Sequence, residues 1–344
     1  MTTLVTGATG FLGSHVARLL VERGERVRVL ARSSSVGRIA GVLPANNIER
    51  AVGDLRDIQS LEGAMQDVQV VYHVAADYRL WTRRPSDIYD SNVNGTRNVL
   101  QAARRARVAK VVYTSTVGTV AVPHGDVLPD EDARTSLSEM IGHYKRSKWL
   151  AEQEATRAAA DGLPVVIVNP TTPVGPGDAK PTPTGRIIVD FLNGRMPAYV
   201  DAGLNFLPVE DAAAGHLLAA EHGRVGERYI LGGENLTLKQ VLAQLARASG
   251  RKEPRVRVPH IVALGAGYID AAISRLLSRE PQIPLEGVRM ARHSMFVCAE
   301  KARRELGFAP GPVAAALERA VRWYEANGYV GGSRAAGIAE AHAA

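Results

Sequence analysis

The chain has 344 residues, 46% of them hydrophobic and 22% charged, a composition near the average of soluble globular proteins that argues against a disordered, collagen-like or fibrous chain. Its net charge of +7 rests on 35 Arg and 7 Lys that are scattered rather than clustered, so we expect no nucleic-acid partner and a preference for anionic small molecules. Because no apolar stretch reaches roughly 18 to 20 residues and no signal-peptide pattern opens the chain, we expect no integral membrane segment and a cytoplasmic location.

The first 170 residues alternate short β-branched runs with helical patterns. This alternation is typical of βαβ units, in which helices cover both faces of a parallel sheet. It predicts strands over residues 3–6, 26–31, 48–52, 70–74, 111–115 and 165–169. It predicts helices over residues 11–23, 58–65, 90–107 and 143–161. We therefore expect an α/β fold with a doubly wound parallel sheet of the Rossmann type.

The pattern changes after Pro170. Residues 171–183 hold four prolines and two glycines, which predicts a loop. Further helices are predicted over residues 185–193, 209–221, 237–249, 259–277 and 313–327, with a short strand over 228–231. We interpret residues 1–170 as a Rossmann-type domain and 171–330 as a smaller, mainly helical cap, some segments of which return to the first domain. Residues 331–344 are rich in Gly and Ala and are expected to fray.

A glycine turn follows the first predicted strand and opens the first helix. Its glycines, Gly7, Gly10 and Gly13, are spaced by three residues. A turn of this kind lets the backbone approach a pyrophosphate, and the helix N-terminus adds free N–H groups and the positive end of the helix dipole. Because strand, turn and helix follow in the required order, the motif predicts dinucleotide binding. The residues expected at the dinucleotide are Gly7, Thr9, Gly10, Phe11, Leu12 and Gly13.

The residues after the second and third strands indicate which dinucleotide binds. Arg32 and Ser33 stand where an NAD site would carry a carboxylate for the ribose 2′-hydroxyl. This favours NADP(H), with NAD(H) as the alternative, because an arginine can also lie over an adenine ring or remain in solvent. Asp54, after the third strand, is placed either to contact the adenine amino group or to form a turn.

A tyrosine and a lysine form a candidate proton-transfer pair. Tyr144 and Lys148 lie four residues apart at the start of a predicted helix, so their side chains share one face. A phenol with a pKa near ~10 is a poor acid or base at neutral pH, and a neighbouring ammonium is expected to lower the pKa of Tyr144. Thr114 and Thr116 end the fifth strand, at the sheet edge where ligands bind.

Together these motifs resemble those of the extended (atypical) short-chain dehydrogenases/reductases, in the NAD-dependent epimerase/dehydratase family. They follow the order of that family over most of residues 3–172, and a later segment matches its cap. The matching segments are the glycine turn, Gly53-Asp54-Leu55, Val74-Ala75-Ala76, Asn92-Val93-Asn94-Gly95-Thr96, Thr114-Ser115-Thr116, Tyr144 with Lys148, Asn169-Pro170 and Phe206-Leu207-Pro208-Val209-Glu210-Asp211.

The resemblance implies a role for each matching position. Tyr144 would be the general acid/base, Lys148 would bind the nicotinamide ribose and tune Tyr144, and Thr116 would hold the reacting oxygen. Asn92 would stabilise the site from its helix, the alternative being a helix cap. Further cofactor contacts are implied for Leu55, Ala75, Ala76, Thr114, Pro170, Thr171 and Thr172.

The resemblance also narrows the reaction. Dehydratases of the family carry an Asp-Glu pair after the strand-end threonine, whereas Val117-Gly118 follows here, which argues against dehydration. Residues 77–81 and 169–178 most resemble hopanoid-associated sugar epimerases, which implies a bacterial hopanoid-lipid setting and a sugar or nucleotide-sugar substrate. The alternative is an NADPH-dependent ketone reductase or alcohol dehydrogenase of the dihydroflavonol-reductase or hydroxysteroid-dehydrogenase type, towards which Arg32 leans. A non-catalytic dinucleotide sensor is a minor third alternative.

The substrate is expected to be a small molecule. Besides Thr116, the candidate contacts are Tyr78, Trp81, Arg186, Phe191 and Asn205; Tyr78 and Trp81 could equally pack in the core or a lid, and Arg186 could remain solvated. The histidines are dispersed and Cys298 is the single cysteine, so no catalytic metal is expected. The resemblance allows a homodimer through the helices at 90–107 and 143–161, although many relatives are monomers.

Overall fold

The computed structural model describes residues 2–35, 47–120, 122, 127–277, 279–283 and 285–331. The strands are β1 (Thr2–Thr6), β2 (Arg26–Ala31), β3 (Ile48–Val52), β4 (Val68–His73), β5 (Lys110–Thr114), β6 (Val165–Pro170), β7 (Thr172–Val174), β8 (Ala198–Val200), β9 (Gly203–Pro208), β10 (Arg228–Leu231), β11 (Glu234–Thr237) and β12 (Val256–Val258). The α-helices are α1 (Phe11–Glu22), α2 (Ile58–Ala64), α3 (Pro85–Tyr89), α4 (Gly95–Arg105), α5 (Gly142–Ala160), α6 (Pro183–Leu192), α7 (Val209–His222), α8 (Leu238–Ser249), α9 (His260–Leu276), α10 (Leu285–Met290), α11 (Glu300–Leu306) and α12 (Val313–Ala326).

The main sheet has seven parallel strands in the order β3-β2-β1-β4-β5-β6-β10. The chain runs outward from β1 in one direction and then from β4 in the other, so the order reverses between β1 and β4. In such sheets the crevice at this reversal, at the carboxyl ends of the strands, is where ligands bind. The predicted α/β fold with a doubly wound parallel sheet is confirmed.

Apolar side chains cover both faces of the sheet. On one face, helices α1 and α7 pack in a cluster that includes Val5, Val16, Leu20, Val29 and Leu217. On the other, helices α2, α4 and α5 pack in a cluster that includes Leu4, Leu61, Val99, Val111 and Ala151. Neighbouring residues of one strand therefore enter opposite clusters, because successive side chains of a strand point to opposite faces. This explains the nearly continuous apolar runs of the parallel strands.

The C-terminal half adds a second group of elements beside the carboxyl edge of the sheet. Helices α6, α8 and α12 pack around a three-stranded sheet in the order β11-β9-β7, and β8 pairs with β12. Two C-terminal elements belong instead to the main sheet, since β10 extends it beyond β6 and α7 covers one of its faces.

The structure corrects two predicted elements. Part of the predicted loop 171–183 is strand β7, which tolerates Pro173 because it lies at the edge of its sheet. The helix predicted over 90–107 begins earlier, with α3, and continues through a π-helical turn at Asp90–Asn94 into α4. It ends at Arg105 because Arg107 adopts a left-handed backbone with φ of 53°. Residues 332–344, most of the predicted frayed tail, lie outside the described residues.

Candidate active site

The glycine turn forms an open cradle at the N-terminus of α1. The Gly10 N–H donates to the Gly7 carbonyl at 2.9 Å, and Gly7 has a φ of +76°, a conformation that side chains disfavour. A Cβ on Gly7 would lie 2.6 Å from the Ala75 nitrogen, and a Cβ on Gly13 would collide with the Gly7 carbonyl. Leu12 packs its side chain against the core. A cradle of bare backbone before a helix fits the pyrophosphate of a dinucleotide.

Two arginines border the end of the crevice next to β2 and β3. Arg32 is exposed just after β2. Asp54, after β3, accepts hydrogen bonds from Arg56 Nε at 2.9 Å and Nη2 at 2.7 Å, and from the Arg56 backbone N–H at 2.9 Å. The hydrogen bonds from Arg56, reinforced by the charge of Arg32, lower the pKa of Asp54 to about 2. Asp54 therefore forms a turn with Arg56, which was the alternative to its predicted contact with the adenine. Arg56 is a second cation at this end of the crevice, and the sequence analysis did not identify it.

A buried polar chain supports the floor of the crevice beside the glycine turn. The Ala75 N–H donates to Thr6 Oγ1 at 3.2 Å, and Thr6 Oγ1 lies 2.8 Å from His73 Nδ1. Burial, with the nearby charge of Lys148, lowers the pKa of His73 to about 3, so its imidazole is neutral. Ala75 and Ala76 are half-buried and Ala75 contacts the glycine turn, which suits their predicted place along the cofactor.

The phenol of Tyr144 lies beside the hydroxyl of Thr116. Tyr144 is in the first turn of α5, and Thr116 follows β5, where its hydroxyl accepts the Gly118 N–H at 3.2 Å and caps a short 3₁₀ turn. Burial raises the pKa of Tyr144, and the hydrogen bond with the Thr116 side chain opposes that rise. The structure therefore brings these two predicted residues together, with the phenol in its protonated form at neutral pH.

Lys148 is buried one helical turn beyond Tyr144, and its contacts differ from the expectation. Its ammonium donates to the Tyr113 hydroxyl at 3.0 Å and to the Thr114 carbonyl at 2.7 Å. Burial, opposed by the charge of Glu152, lowers the pKa of Lys148 to about 7. The expected lowering of the Tyr144 pKa by Lys148 is wrong for this structure, because burial of the phenol dominates and raises that pKa.

Thr114 is buried and makes its hydrogen bonds inside the protein. Its hydroxyl lies 2.9 Å from His216 Nε2 on α7, and its carbonyl accepts the hydrogen bond from Lys148. Burial lowers the pKa of His216 to about 4, so the imidazole is neutral. Thr114 thus holds Lys148, and its hydroxyl is already engaged.

A buried carboxylate, Glu152, was missed by the sequence analysis. Its side chain is 4% exposed, and one oxygen accepts hydrogen bonds from Ser115, from Thr119 at 2.8 Å and from Asn169 at 3.0 Å. The other oxygen pairs with Arg228 of β10 at 3.2 Å. The signal was available, because Tyr144, Lys148 and Glu152 repeat every four residues and so share a helix face. This cluster fixes the strand end on either side of Thr116.

Asn92 links the loop after β4 to the helix of Tyr144. It lies in the π-helical turn, is 2% exposed, accepts the Asp77 N–H at 2.7 Å and donates to the Asp77 carbonyl at 2.8 Å. It also donates to Ser147 Oγ at 2.9 Å, next to Lys148 in the chain. Asn92 therefore connects the loop after β4 to α5 and does not act as a helix cap.

Two buried polar atoms face no partner at the carboxyl end of β6. Among the described residues, Asn169 Oδ1 and Thr171 Oγ1 make no hydrogen bond. Buried polar atoms ordinarily have partners, so these two suit a ligand that brings donors and acceptors, such as a carboxamide. They lie next to Pro170 and Thr172, the positions predicted to border the nicotinamide.

Tyr78 lies near several charged and polar side chains. Burial, with the charges of Asp178 and Asp77, raises the pKa of Tyr78 to about 12, while Arg186 opposes that rise and Tyr144 adds to it. Tyr78 and Arg186 are both half-buried. The structure therefore places both Arg186 and Tyr144 within electrostatic range of Tyr78. Trp81, on the same loop as Tyr78, is also half-buried.

Two predicted substrate contacts, Phe191 and Asn205, are buried and engaged within the fold. Phe191 is 4% exposed and packs in the apolar core of the C-terminal elements with Ile188 and Phe206. Asn205 is 3% exposed; its amide oxygen accepts the Gly233 N–H and its amide nitrogen donates to Asn235, both at 2.8 Å. Phe191 and Asn205 therefore hold the fold together. The sequence alone does not distinguish a substrate contact from a buried residue of the fold at these two positions.

In the described part of the chain, no group of three His, Cys, Asp or Glu side chains could hold a metal ion. None of the helices described there has the length and apolar character that a membrane span requires.

The fold and the cradle place the chain among the dinucleotide-binding α/β proteins. The family model described as the NAD dependent epimerase/dehydratase family matches residues 3–232, and the chain belongs to this family of extended short-chain dehydrogenases/reductases. It is accordingly an enzyme of NAD-dependent type.

Similar proteins carry different names. A Synechocystis sp. protein called "Putative dihydroflavonol 4-reductase" is 44% identical over 330 residues, 95% of each chain. Sterol demethylase protein B of Methylococcus capsulatus is 38% identical over 334 residues, 96% of this chain and all of the relative. A crystal structure of a nucleoside-diphosphate-sugar epimerase from Pseudomonas aeruginosa superposes with a TM-score of 0.79 at 30% identity, covering 96% of this chain and 99% of the other.

Proposed function

We propose that the protein is a reductase that transfers hydride between a nicotinamide dinucleotide and the carbon of a ketone or secondary alcohol. The observation that carries this proposal is the phenol of Tyr144 beside the hydroxyl of Thr116, at the carboxyl edge of β5. A carbonyl oxygen seated between the two hydroxyls would receive hydrogen bonds from both. This is the arrangement that general acid catalysis of carbonyl reduction needs.

The protonation states favour the reductive direction. Burial raises the pKa of Tyr144, so the phenol carries the proton that an alkoxide oxygen must receive. Thr116 orients that oxygen. The ammonium of Lys148, held by Tyr113 and by the Thr114 carbonyl, would bind the nicotinamide ribose and stabilise the phenolate that remains after proton transfer. When bound, the dinucleotide supplies the hydride.

The cofactor would lie along the carboxyl edge of the sheet, from the arginine border to β6. The glycine cradle would hold the pyrophosphate, and Thr171 and Asn169 would offer their unpartnered oxygens to the nicotinamide. Arg32 would contact the 2′-phosphate of NADP(H), which we favour over NAD(H). Arg56 stands close enough to Arg32 for both to act on the same carboxylate, Asp54.

The substrate is inferred to be a largely apolar ketone. The two relatives named above at 44% and 38% identity carry the names of a flavonoid reductase and a sterol-modifying protein. Tyr78 and Trp81 would offer aromatic surface, and Arg186 is the cation that would contact a polar substituent. With Asn205 committed to the fold, one fewer of the predicted polar contacts is available for a nucleotide diphosphate.

A sugar epimerase is the second candidate. It is supported by the 30% identical epimerase structure from Pseudomonas aeruginosa and by Arg186, which could pair with a diphosphate. In an epimerase the hydride returns to the same substrate, so the cofactor stays bound through each turnover. In a reductase the cofactor leaves oxidised after each turnover.

Release of bound cofactor distinguishes the two candidates. The freshly purified full chain is denatured, and mass spectrometry identifies and quantifies any nicotinamide dinucleotide released. For a reductase we expect less than about one tenth of the protein to carry cofactor, and stoichiometric oxidation of added NADPH when ketones are supplied. Near-stoichiometric resident NAD, with nucleotide sugars interconverted and no net oxidation, would replace the reductase by the epimerase.

A further inference from the structure

Helix α9 turns an apolar face outward. Its exposed positions recur at a helical spacing of three and four, and none of those from Ile261 to Ile273 is charged. Ile261 is 77% exposed, Ile269 64% and Leu276 84%. The exposed stripe of α9 consists of Ile261, Val262, Gly265, Tyr268, Ile269, Ala272, Ile273 and Leu276. On an ordinary surface helix the outward face is polar, whereas the outward face of α9 is apolar.

The inward side of α9 is firmly attached to the protein. Asp270 accepts hydrogen bonds from Arg279 at 2.7 Å and from the Ile283 N–H at 2.8 Å. Gly267 is buried, and a Cβ there would contact Leu285 of α10. Because Gly267 faces α10 and Asp270 holds the segment between the two helices, α9 cannot bury its apolar stripe by simple rotation without breaking these contacts.

Cations border the stripe at both ends. Arg251, Lys252 and Arg255 are exposed before the helix, and Arg275 is exposed in its last turn. Residues 251–279 hold six Arg and Lys but only two Asp and Glu. At the side of the stripe, Arg289 donates to the Tyr268 hydroxyl at 2.8 Å, so this tyrosine presents an apolar ring with a polar tip, as at the boundary between lipid and water.

We propose that the exposed stripe of α9 docks on the surface of an anionic lipid bilayer, with the helix lying in the headgroup plane. An apolar face rimmed by Lys and Arg is the arrangement that binds such a surface, because apolar burial and attraction to anionic headgroups add. A second copy of the chain fits less well. Symmetric pairing of the stripe with itself would bring the cations of two chains together.

Helix α10 connects α9 to the helix that carries Tyr144. It packs on α9, and Glu286 of α10 accepts the backbone N–H of His143 at 3.4 Å, one residue before Tyr144. Docking through α9 would therefore hold the site near the bilayer, which would suit a substrate dissolved in lipid. The proposal itself rests on α9 and its border, and it stands or falls separately from the reductase assignment.

Vesicle flotation of the full-length protein tests the docking. Vesicles of phosphatidylcholine alone are compared with vesicles containing roughly 30% phosphatidylglycerol, at low and high salt. We expect the protein to float with the anionic vesicles, and high salt to weaken the binding. Ile269→Glu and Leu276→Glu should each reduce the bound fraction about tenfold or more. Val225→Glu is the matched control, since Val225 is 51% exposed outside the stripe, and it should bind as the wild type does.

Circular dichroism and light scattering are measured on the same samples. Because Ile269 and Leu276 are exposed, their variants should keep the wild-type spectrum. Absence of flotation with anionic vesicles overturns the proposal, and so does an equal loss of binding in Val225→Glu. A wild-type dimer that Ile269→Glu converts to a monomer, without vesicle binding, would show that a second copy covers the stripe.

Discussion

The ammonium of Lys148 lies 3.0 Å from the hydroxyl oxygen of Tyr113 on β5. Both groups are buried, and the Lys148 ammonium also lies 4.6 Å from the centre of the Tyr113 ring. A buried ammonium is costly unless hydrogen bonds and dipoles replace its water. The Tyr113 hydroxyl therefore replaces part of the hydration that the Lys148 ammonium loses on burial.

Replacement of Tyr113 by Phe should change the pH dependence of turnover. The variant keeps the ring but removes the acceptor, so the pKa of Lys148, already lowered to about 7, should fall further. The loss of turnover at rising pH should then move to lower pH by roughly one unit, as measured by kcat against pH with NADPH. Tyr72→Phe is the control, because Tyr72 is equally buried on neighbouring β4. An unchanged profile would argue against the role of Tyr113.

Replacement of Lys148 by Met should stabilise the protein at low pH. The pKa of Lys148 is about 7 in the folded chain against 10.5 for the ordinary group. Between those values the unfolded chain binds more protons, so the stability contribution of this group rises with pH and is least favourable below pH 7. We expect Lys148→Met to raise the free energy of unfolding by up to about 4 kcal/mol at pH 6 and by less at pH 9.

Urea unfolding at the two pH values measures this difference. Lys239→Met, at an exposed position on α8, serves as the control and should change stability little at either pH. A gain that is the same at pH 6 and pH 9 would contradict the titration of Lys148 in the folded state.

Replacement of Glu152 by Gln should destabilise the protein and slow turnover. The amide keeps only one acceptor oxygen, so its NH₂ group would face either Arg228 or the three groups Ser115, Thr119 and Asn169, all of which now donate to the carboxylate. The charge that pairs with Arg228 would be lost in either orientation. We expect a loss of about 3 kcal/mol, with a fall in kcat because the strand end that carries Thr116 is released. Denaturant unfolding and steady-state kinetics measure the two effects.

Glu154→Gln is the matched control on the same helix. Glu154 pairs with Arg97 and Arg157 at the surface, and loss of such pairs costs about 1 kcal/mol or less. If the two variants lose equal stability, the buried cluster around Glu152 is not what holds the strand end.

Replacement of Arg32 by Asp should reverse the cofactor preference. A carboxylate at this position would repel a 2′-phosphate and accept a hydrogen bond from a ribose 2′-hydroxyl. We expect kcat/KM for NADPH relative to NADH to fall about 100-fold or more. Arg26→Asp, exposed at the opposite end of the same strand, should leave the ratio unchanged. An unaltered ratio in Arg32→Asp would count against the NADP assignment.

The sequence predicted the sheet well because its signals are local. Strand β6 begins with the unbroken apolar run 165–168, and the glycine turn identifies the end of β1 by spacing alone. The Tyr144 and Lys148 pair is likewise local, within one turn of helix. The edge strand β7 was missed because its pairing partner, β9, lies some thirty residues away and its own composition is that of a loop.

The supporting residues of the site could not be predicted because their roles depend on tertiary contacts. Tyr113 is one of many buried strand residues, and only the fold brings its hydroxyl to Lys148. Glu152 depends on Asn169 and Arg228 from two other strands. The same limit applies to Phe191 and Asn205, whose residue types suit a ligand contact as well as the buried positions that they occupy.

The most direct test of the account is the turnover of Tyr144→Phe. The variant removes one hydroxyl and keeps the ring, so NADPH should bind with unchanged affinity by fluorescence titration. Ketone reduction should fall at least about 100-fold, the contribution expected of a general acid. Tyr89→Phe, which removes the hydroxyl next to His143, should reduce ketones at nearly the wild-type rate. Wild-type turnover in Tyr144→Phe would contradict the proposed proton transfer.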